Sequence, residues 1–133
     1  MKRTIIFCVM ALALMSSVLL AQNAPINFET GGHGANWTWT VFENATNPAV
    51  EILPNPHSTG INTSATVAKF TALVGGQPWA GCESQHGADI GTFTFTNQNC
   101  TVKIMVYKTV ISDVGIKFAS ASGASTGEIK VAN

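Results

Sequence analysis

The sequence is poor in charge, in cysteine and in tyrosine. Charged residues make up 11% of the 133 residues, with 7 basic and 7 acidic side chains, and there are 3 cysteines and 1 tyrosine. No basic run occurs after the first three residues. Binding to nucleic acid or to an anionic membrane needs clustered positive charge, so neither partner has electrostatic support.

Residues 1–22 have the three parts of a secretory signal peptide. Lys2 and Arg3 give a basic start, 5–20 is apolar, and small and polar residues follow. The apolar run is too short for a convincing membrane span. We therefore expect export, cleavage, no membrane attachment afterwards, and one domain over 23–133 with five basic and seven acidic residues.

Two cysteines, Cys82 and Cys100, follow the leader. An oxidising compartment allows them to form a disulfide. Two free thiols are an equally open alternative, because pairing needs close Cβ atoms that sequence does not reveal. Their spacing, without nearby histidine pairs, is not typical of a zinc site.

After the leader there is no helical periodicity, and short β-rich runs alternate with clusters of Gly, Pro, Asn and Ser. This pattern predicts an all-β antiparallel sandwich. The predicted strands lie near 26–29, 37–42, 50–53, 66–72, 79–85, 92–96, 101–107, 114–119 and 127–131.

The last three predicted strands alternate apolar and polar residues. Side chains two apart share one face of a strand, so the apolar residues are expected to face inward. In 101–107 these are Val102, Ile104 and Val106. We expect the outward face of this sheet to carry polar side chains, among them Lys103, Tyr107 and Lys117.

Catalytic patterns are weak. The seven acids after the leader are isolated from one another, whereas glycoside hydrolysis usually needs two carboxylates at a fixed separation. The segment GASTG lacks the nucleophile-elbow pattern. The three histidines fall in predicted loops or at strand ends, and His86 with Glu83 gives two metal ligands, which do not define a metal site.

Aromatic residues are the better candidates, because tryptophan and tyrosine stack on the apolar faces of sugar rings. Trp37 and Trp39 alternate with threonines, which favours burial in the sheet, although Trp39 is also a candidate ligand platform. Trp79 lies at a loop–strand junction. Tyr107 lies on the polar face of its predicted strand, where neighbouring lysines could donate to hydroxyls.

Four blocks of sequence resemble a known family: INFETGG with the following WTWTVFEN, STGINTSATVAKFTA, GQPWAGCES with the following HGADIG, and TVKIMVYKTVISDVGIKF. They resemble the jelly-roll, galactose-binding-like modules of secreted Bacteroidetes polysaccharide-degrading proteins, many of them laminarinase-associated. These modules are similar to carbohydrate-binding modules of the family 4/9 type. The resemblance covers nearly all of 26–133 and implies a jelly-roll fold.

The resemblance has two further implications. Glu29 matches an acidic residue on the first strand that helps to hold a structural calcium ion in such modules. The family pattern continues with further strands after the segment TGEIKVAN. We therefore expect a copy that lacks its last strands, linked to other domains in a longer parent protein.

Three functions follow as hypotheses. The first is a secreted, non-catalytic module that binds polysaccharide, for example a β-glucan, through Trp79, Tyr107, Lys103, Lys117 and Trp39. The second is a structural or adhesive cell-surface module that binds no sugar. The third is the N-terminal part of a glycoside hydrolase whose catalytic domain lies downstream.

Overall fold

The computed structural model describes residues 22–132, so the predicted signal peptide lies outside the described residues except for Gln22. Within this range all regular secondary structure is β, which confirms the all-β prediction. No helix in 22–132 is long and apolar enough to cross a membrane. The strands are β1 (Trp39–Phe42), β2 (Glu51–Pro54), β3 (Thr66–Lys69), β4 (Gly81–Ser84), β5 (Val114–Ile116) and β6 (Ile129–Val131).

The strands form three two-stranded antiparallel sheets. β1 pairs with β4, so that Trp39 lies opposite Ser84 and Phe42 opposite Gly81. β2 pairs with β3, and β5 pairs with β6. The β2–β3 pair is thus nested in sequence between the two partners of the β1–β4 pair.

The β2–β3 pair accommodates a proline without losing a ladder bond. Asn55 N donates to Ala65 O at 2.8 Å, which makes these two residues a hydrogen-bonded pair. Hydrogen-bonded and non-hydrogen-bonded pairs alternate along an antiparallel ladder, so Pro54, opposite Thr66, belongs to a non-hydrogen-bonded pair. Its missing N–H is therefore not needed, as is usual for proline at a sheet edge.

The predicted strand at 26–29 is wrong. Asn27 N and Phe28 N both donate to the single carbonyl of His33, at 3.1 and 2.9 Å, instead of to successive carbonyls of a ladder. Phe28 also has a φ of 59°, which is outside the extended region. One isolated bridge, between Ile26 and His33, is all that forms.

The predicted strands at 92–96 and 101–107 are also wrong. Their composition favours a strand, but a strand needs a hydrogen-bonded neighbour, and β5 takes β6 as its partner. No backbone N–H or C=O of 101–107 bonds to the backbone of another described residue. Val102, Ile104 and Val106 are consequently exposed and do not face inward.

The remaining six predicted strands exist; five are shorter than predicted, and the one predicted at 50–53 is shifted by one residue to 51–54. The segment predicted at 79–85 begins only at Gly81, because Ala80 N donates to Gln77 O at 2.9 Å and closes a turn. Trp37 likewise precedes β1, since its N–H donates to Gly34 O at 3.3 Å. Local hydrogen bonds at the strand ends therefore set the boundaries.

No apolar side chain of residues 22–132 is fully buried. In β1, Trp39 and Val41 are half-buried and Thr40 is exposed, but Phe42 is half-buried as well, so the alternation ends there. The burial predicted for Trp37 and Trp39 is only partly found, since both are half-buried. Trp39 packs against Trp37 and Phe28, with ring centroids 5.8 Å apart in both pairs. These aromatic contacts provide the packing around the start of β1.

Candidate functional site

A shallow, largely open depression of about 570 Å³ lies on the surface beside Trp79. It is lined by Glu43, Ala45, Gly75, Gln77 and Trp79. Two segments supply these residues: the turn that follows β1 and the loop that precedes β4. We call this feature the Trp79 cleft.

The indole N–H of Trp79 is hydrogen-bonded, whereas much of the surface of its ring is exposed to solvent. A hydrogen bond from Ala80 N to Gln77 O closes a turn whose two central residues are Pro78 and Trp79. Proline suits the first central position, because its ring fixes φ at the value that the turn requires there. The Trp79 side chain is 58% exposed. Its indole N–H donates to the Glu43 carboxylate. The carboxylate thus fixes the ring while much of its surface stays accessible.

Asn44 ties the two walls of the cleft together. Its side chain is fully buried, and its Nδ2 donates to Thr71 O at 2.7 Å. Its Oδ1 accepts from Leu73 N at 2.8 Å. Its own backbone N–H donates to Asn47 Oδ1 at 2.8 Å. One buried amide therefore joins the turn after β1 to the loop before β4.

The turn after β1 has an unusual backbone. Glu43, Ala45 and Asn47 have φ values of 52°, 54° and 48°, in the left-handed region that L residues rarely adopt. Each such residue costs on the order of 1–3 kcal/mol and persists only where its surroundings fix it. Asn44 supplies those contacts, together with a 2.8 Å bond from Gln77 N to Glu43 O.

A glycine is required where the loop approaches this turn. A Cβ added to Gly76 would lie 2.8 Å from Asn44 Oδ1 and 3.1 Å from Leu73 O. A Cβ added to Gly75 would meet Ala45 Cβ at an ordinary 3.6 Å. The close approach at Gly76 is thus part of how the sequence builds the cleft.

The other predicted ligand residues lie away from the Trp79 cleft. Tyr107 is 62% exposed, and its ring centroid is 3.8 Å from that of His57. Lys103 and Lys117 are exposed. Because 101–107 is not a strand, no ladder assembles the polar sheet face on which these three residues were expected.

The indole N–H of Trp39 is already hydrogen-bonded within the protein. Its indole N–H donates to Gly34 O at 2.8 Å, and its ring stacks on Trp37 with an angle of 28° between the planes. The ring is half-buried. Its contacts are those of a packing residue at the start of β1.

Glu29, the predicted calcium ligand, lies before the glycine-rich loop and is hydrogen-bonded to the backbone at the start of β3. Its Oε1 accepts from Ala65 N at 2.5 Å and from Thr66 N at 3.2 Å. The Thr66 backbone N–H is the main cause that holds the pKa of Glu29 below its usual value of 4.5. No group of three or more His, Cys, Asp or Glu residues in 22–132 could hold a metal.

Both cysteines are free thiols in the structure. Cys82 is half-buried in β4, and burial raises the pKa of its thiol. Cys100 is exposed. The pair considered as a metal site, His86 and Glu83, makes a single exposed contact of 3.1 Å.

A second cavity, of about 420 Å³, lies beside β5 and β6. Its lining is mainly aliphatic and includes Ile104, Val106, Val110, Ile111 and Val131. It contains one charged side chain, Lys108, which donates to the carbonyls of the following turn. Its other polar side chains are the hydroxyls of Thr109 and Ser112, and its lining has no aromatic ring on which a sugar could stack.

Sequence reasoning found Trp79 but not its partners. Glu43 and Gln77 have no motif around them, and the contact between Glu43 and Trp79 spans 36 residues. The one available signal was Asn44 and Asn47 after a predicted strand, since asparagine tolerates left-handed backbone and caps turns. That signal predicts a turn, not a cleft.

The Trp79 cleft combines a flat aromatic ring, a carboxylate and an amide side chain. This set can stack on an apolar ring face and exchange hydrogen bonds with hydroxyl groups. Comparisons of the sequence with protein-family models, with curated proteins and with solved structures found no match.

Proposed function

We propose that this protein is a secreted, non-catalytic module that binds polysaccharide in the Trp79 cleft. The observation that carries the proposal is an exposed indole whose N–H is held by the Glu43 carboxylate. A ring fixed in this way loses little freedom when a ligand stacks on it, so less of the interaction energy is spent on ordering the site.

Binding would rest on stacking and hydrogen bonds alone. A pyranose ring placed on Trp79 would bring its hydroxyls near the side chains of Glu43 and Gln77. Glu43 is the single carboxylate in the cleft lining, whereas hydrolysis of a glycosidic bond usually uses two. The lining therefore favours recognition over catalysis.

We propose a jelly-roll sandwich as the complete arrangement of the strands. The nested pairing of β2–β3 within β1–β4 supports this, because jelly rolls fold long antiparallel hairpins upon themselves. The basic and apolar leader supports export.

Affinity electrophoresis with a soluble neutral β-glucan tests the proposal. Trp79→Ala should abolish the retardation of the protein by the glucan, since stacking on a tryptophan contributes most of the contact area. Tyr107→Ala is the matched control, because Tyr107 is about as exposed but lies outside the cleft. Equal loss of retardation in both variants would contradict a site at Trp79.

A structural or adhesive module is the second candidate. Ile61 and Ile111, which are 84% and 81% exposed, line the same mainly aliphatic cavity beside β5 and β6. Exposed apolar surface is typical of protein contact sites. This candidate predicts that no neutral or acidic polysaccharide retards the wild-type protein.

Calcium remains a proposal that rests on the family resemblance. Glu29 supplies one carboxylate, and its Oε1 is already bonded to two backbone N–H groups. Calcium takes six to eight oxygen ligands, so Glu29 alone does not make a site. A rise in the melting temperature on adding calcium, absent in Glu29→Gln, would support the proposal.

A further inference from the structure

Glu43 has an unusual position for an acid in a ligand cleft. One carboxylate oxygen, Oε2, accepts the indole N–H of Trp79. The residue itself sits in the left-handed region, and its carbonyl accepts from Gln77 N at 2.8 Å. Glu43 thus binds two residues of the loop before β4: its side chain accepts a hydrogen bond from Trp79, and its backbone carbonyl accepts one from Gln77.

The negative charge of Glu43 has no positive charge beside it. The other lining residues are Ala45, Gly75, Gln77 and Trp79, none of which is cationic. The ion pairs among residues 22–132 do not include Glu43. An indole N–H bond stabilises the carboxylate but leaves its net charge in place.

We propose that Glu43 has two roles in the Trp79 cleft: it positions the indole ring, and it excludes acidic polysaccharides, so that the cleft selects neutral ones. This inference rests on the proposed function. It adds a specificity determinant that the sequence did not indicate. A uronate or sulfate group that entered the cleft would face an uncompensated carboxylate.

Coulomb's law sets the expected size of the exclusion. Two unit negative charges about 4 Å apart in a fully hydrated cleft weaken binding about fivefold. Salt reduces this effect, because the Debye length falls to about 8 Å at physiological ionic strength. Discrimination between neutral and acidic polymers should therefore be greatest at low salt.

The test compares a neutral β-glucan with its carboxymethylated derivative, which has the same backbone. The proteins are wild type, Glu43→Gln, Glu43→Ala and the control Glu128→Gln, which removes one acid outside the cleft. Wild type and Glu128→Gln should bind the neutral polymer at least about fivefold more tightly than the carboxymethylated one at low salt. Glu43→Gln keeps an acceptor for the indole N–H, so it should bind both polymers alike.

Glu43→Ala separates positioning from charge. It removes the acceptor as well as the charge, so its affinity for the neutral polymer should fall further than that of Glu43→Gln, whose amide oxygen still accepts the indole N–H. An unchanged melting temperature in both variants shows that folding is not the cause.

Each role has its own contrary result. Equal binding of the two polymers by wild type, or unchanged discrimination in Glu43→Gln, would refute the charge role alone. Wild-type affinity of Glu43→Ala for the neutral polymer would refute the positioning role. If the wild type binds neither polymer, the proposed function itself is wrong and this inference falls with it.

Discussion

Asn44 concentrates more hydrogen bonds than any neighbouring side chain, and it is the one fully buried side chain among residues 22–132. Its amide satisfies Thr71 O and Leu73 N, which are backbone groups of the opposite loop. Leaving such groups without partners costs more than the bonds themselves contribute. The order of the cleft therefore depends on one residue that does not line it.

Asn44→Ala should lower the free energy of unfolding by about 2–4 kcal/mol, because two backbone groups lose their partners. Urea unfolding measures this directly. Asn36→Ala, at an exposed asparagine eight positions earlier, is the control and should change stability by less than about 0.5 kcal/mol. Equal effects of the two substitutions would contradict the role given to Asn44.

Glu29 makes stability depend on pH. Its pKa is lower in the folded protein than in the unfolded chain, so the ionised carboxylate stabilises the fold above the unfolded value. That stabilisation is lost as the pH falls through the folded pKa. Glu29→Gln should therefore melt below wild type at about pH 7, and the difference should disappear as the pH falls through the folded pKa of Glu29.

Thermal melts of both proteins across this range measure the effect, with Glu128→Gln as the control for removing an exposed carboxylate. Glu128 has Lys130 at 4.0 Å as its ion-pair partner, so its removal should give a smaller difference. A gap between wild type and Glu29→Gln that does not change with pH would show that Glu29 acts without its charge.

At the scale of elements, a proline substitution distinguishes a strand from an unpaired segment. Val67 follows Thr66 in the ladder and, by alternation, belongs to a hydrogen-bonded pair with Leu53. Val67→Pro should cost on the order of 2 kcal/mol or more, since a ladder bond is lost. Met105→Pro should stay within about 0.5 kcal/mol, because 101–107 makes no backbone bond with described residues.

Melting temperatures of the two proline variants provide the measurement. If Met105→Pro destabilises the protein as much as Val67→Pro, then 101–107 is a paired strand after all. That result would favour the original prediction from alternation.

Alternation and turn residues were enough to predict the all-β class and the segments that became β1 to β6. They failed at 26–29 for one reason, and at 92–96 and 101–107 for another. In the first, two donors share the carbonyl of His33, which is a local geometry that composition does not encode. In the second, strand propensity was present but the neighbouring strand paired elsewhere.

The site was predictable only in part for the same reason. Trp79 was identified because its type and its place at a loop–strand junction are visible in sequence. Glu43 and Gln77 were not, because a contact across 36 residues depends on the tertiary arrangement. The buried amide of Asn44 creates that arrangement, and its burial is invisible before the fold is known.

At the scale of the whole molecule, the two cavities differ in chemistry. The Trp79 cleft has an aromatic ring, an acid and an amide, whereas the cavity beside β5 and β6 is mainly aliphatic. Orientation of a sugar needs a few placed polar groups as well as apolar surface. On this ground we propose the Trp79 cleft, and not the second cavity, as the polysaccharide site.

Retardation of wild type and Trp79→Ala in gels containing a neutral β-glucan tests this assignment most directly. We predict that the glucan slows the wild-type protein and leaves Trp79→Ala at its glucan-free mobility, with equal melting temperatures for both. Equal retardation of the two proteins, or none of the wild type, would contradict it.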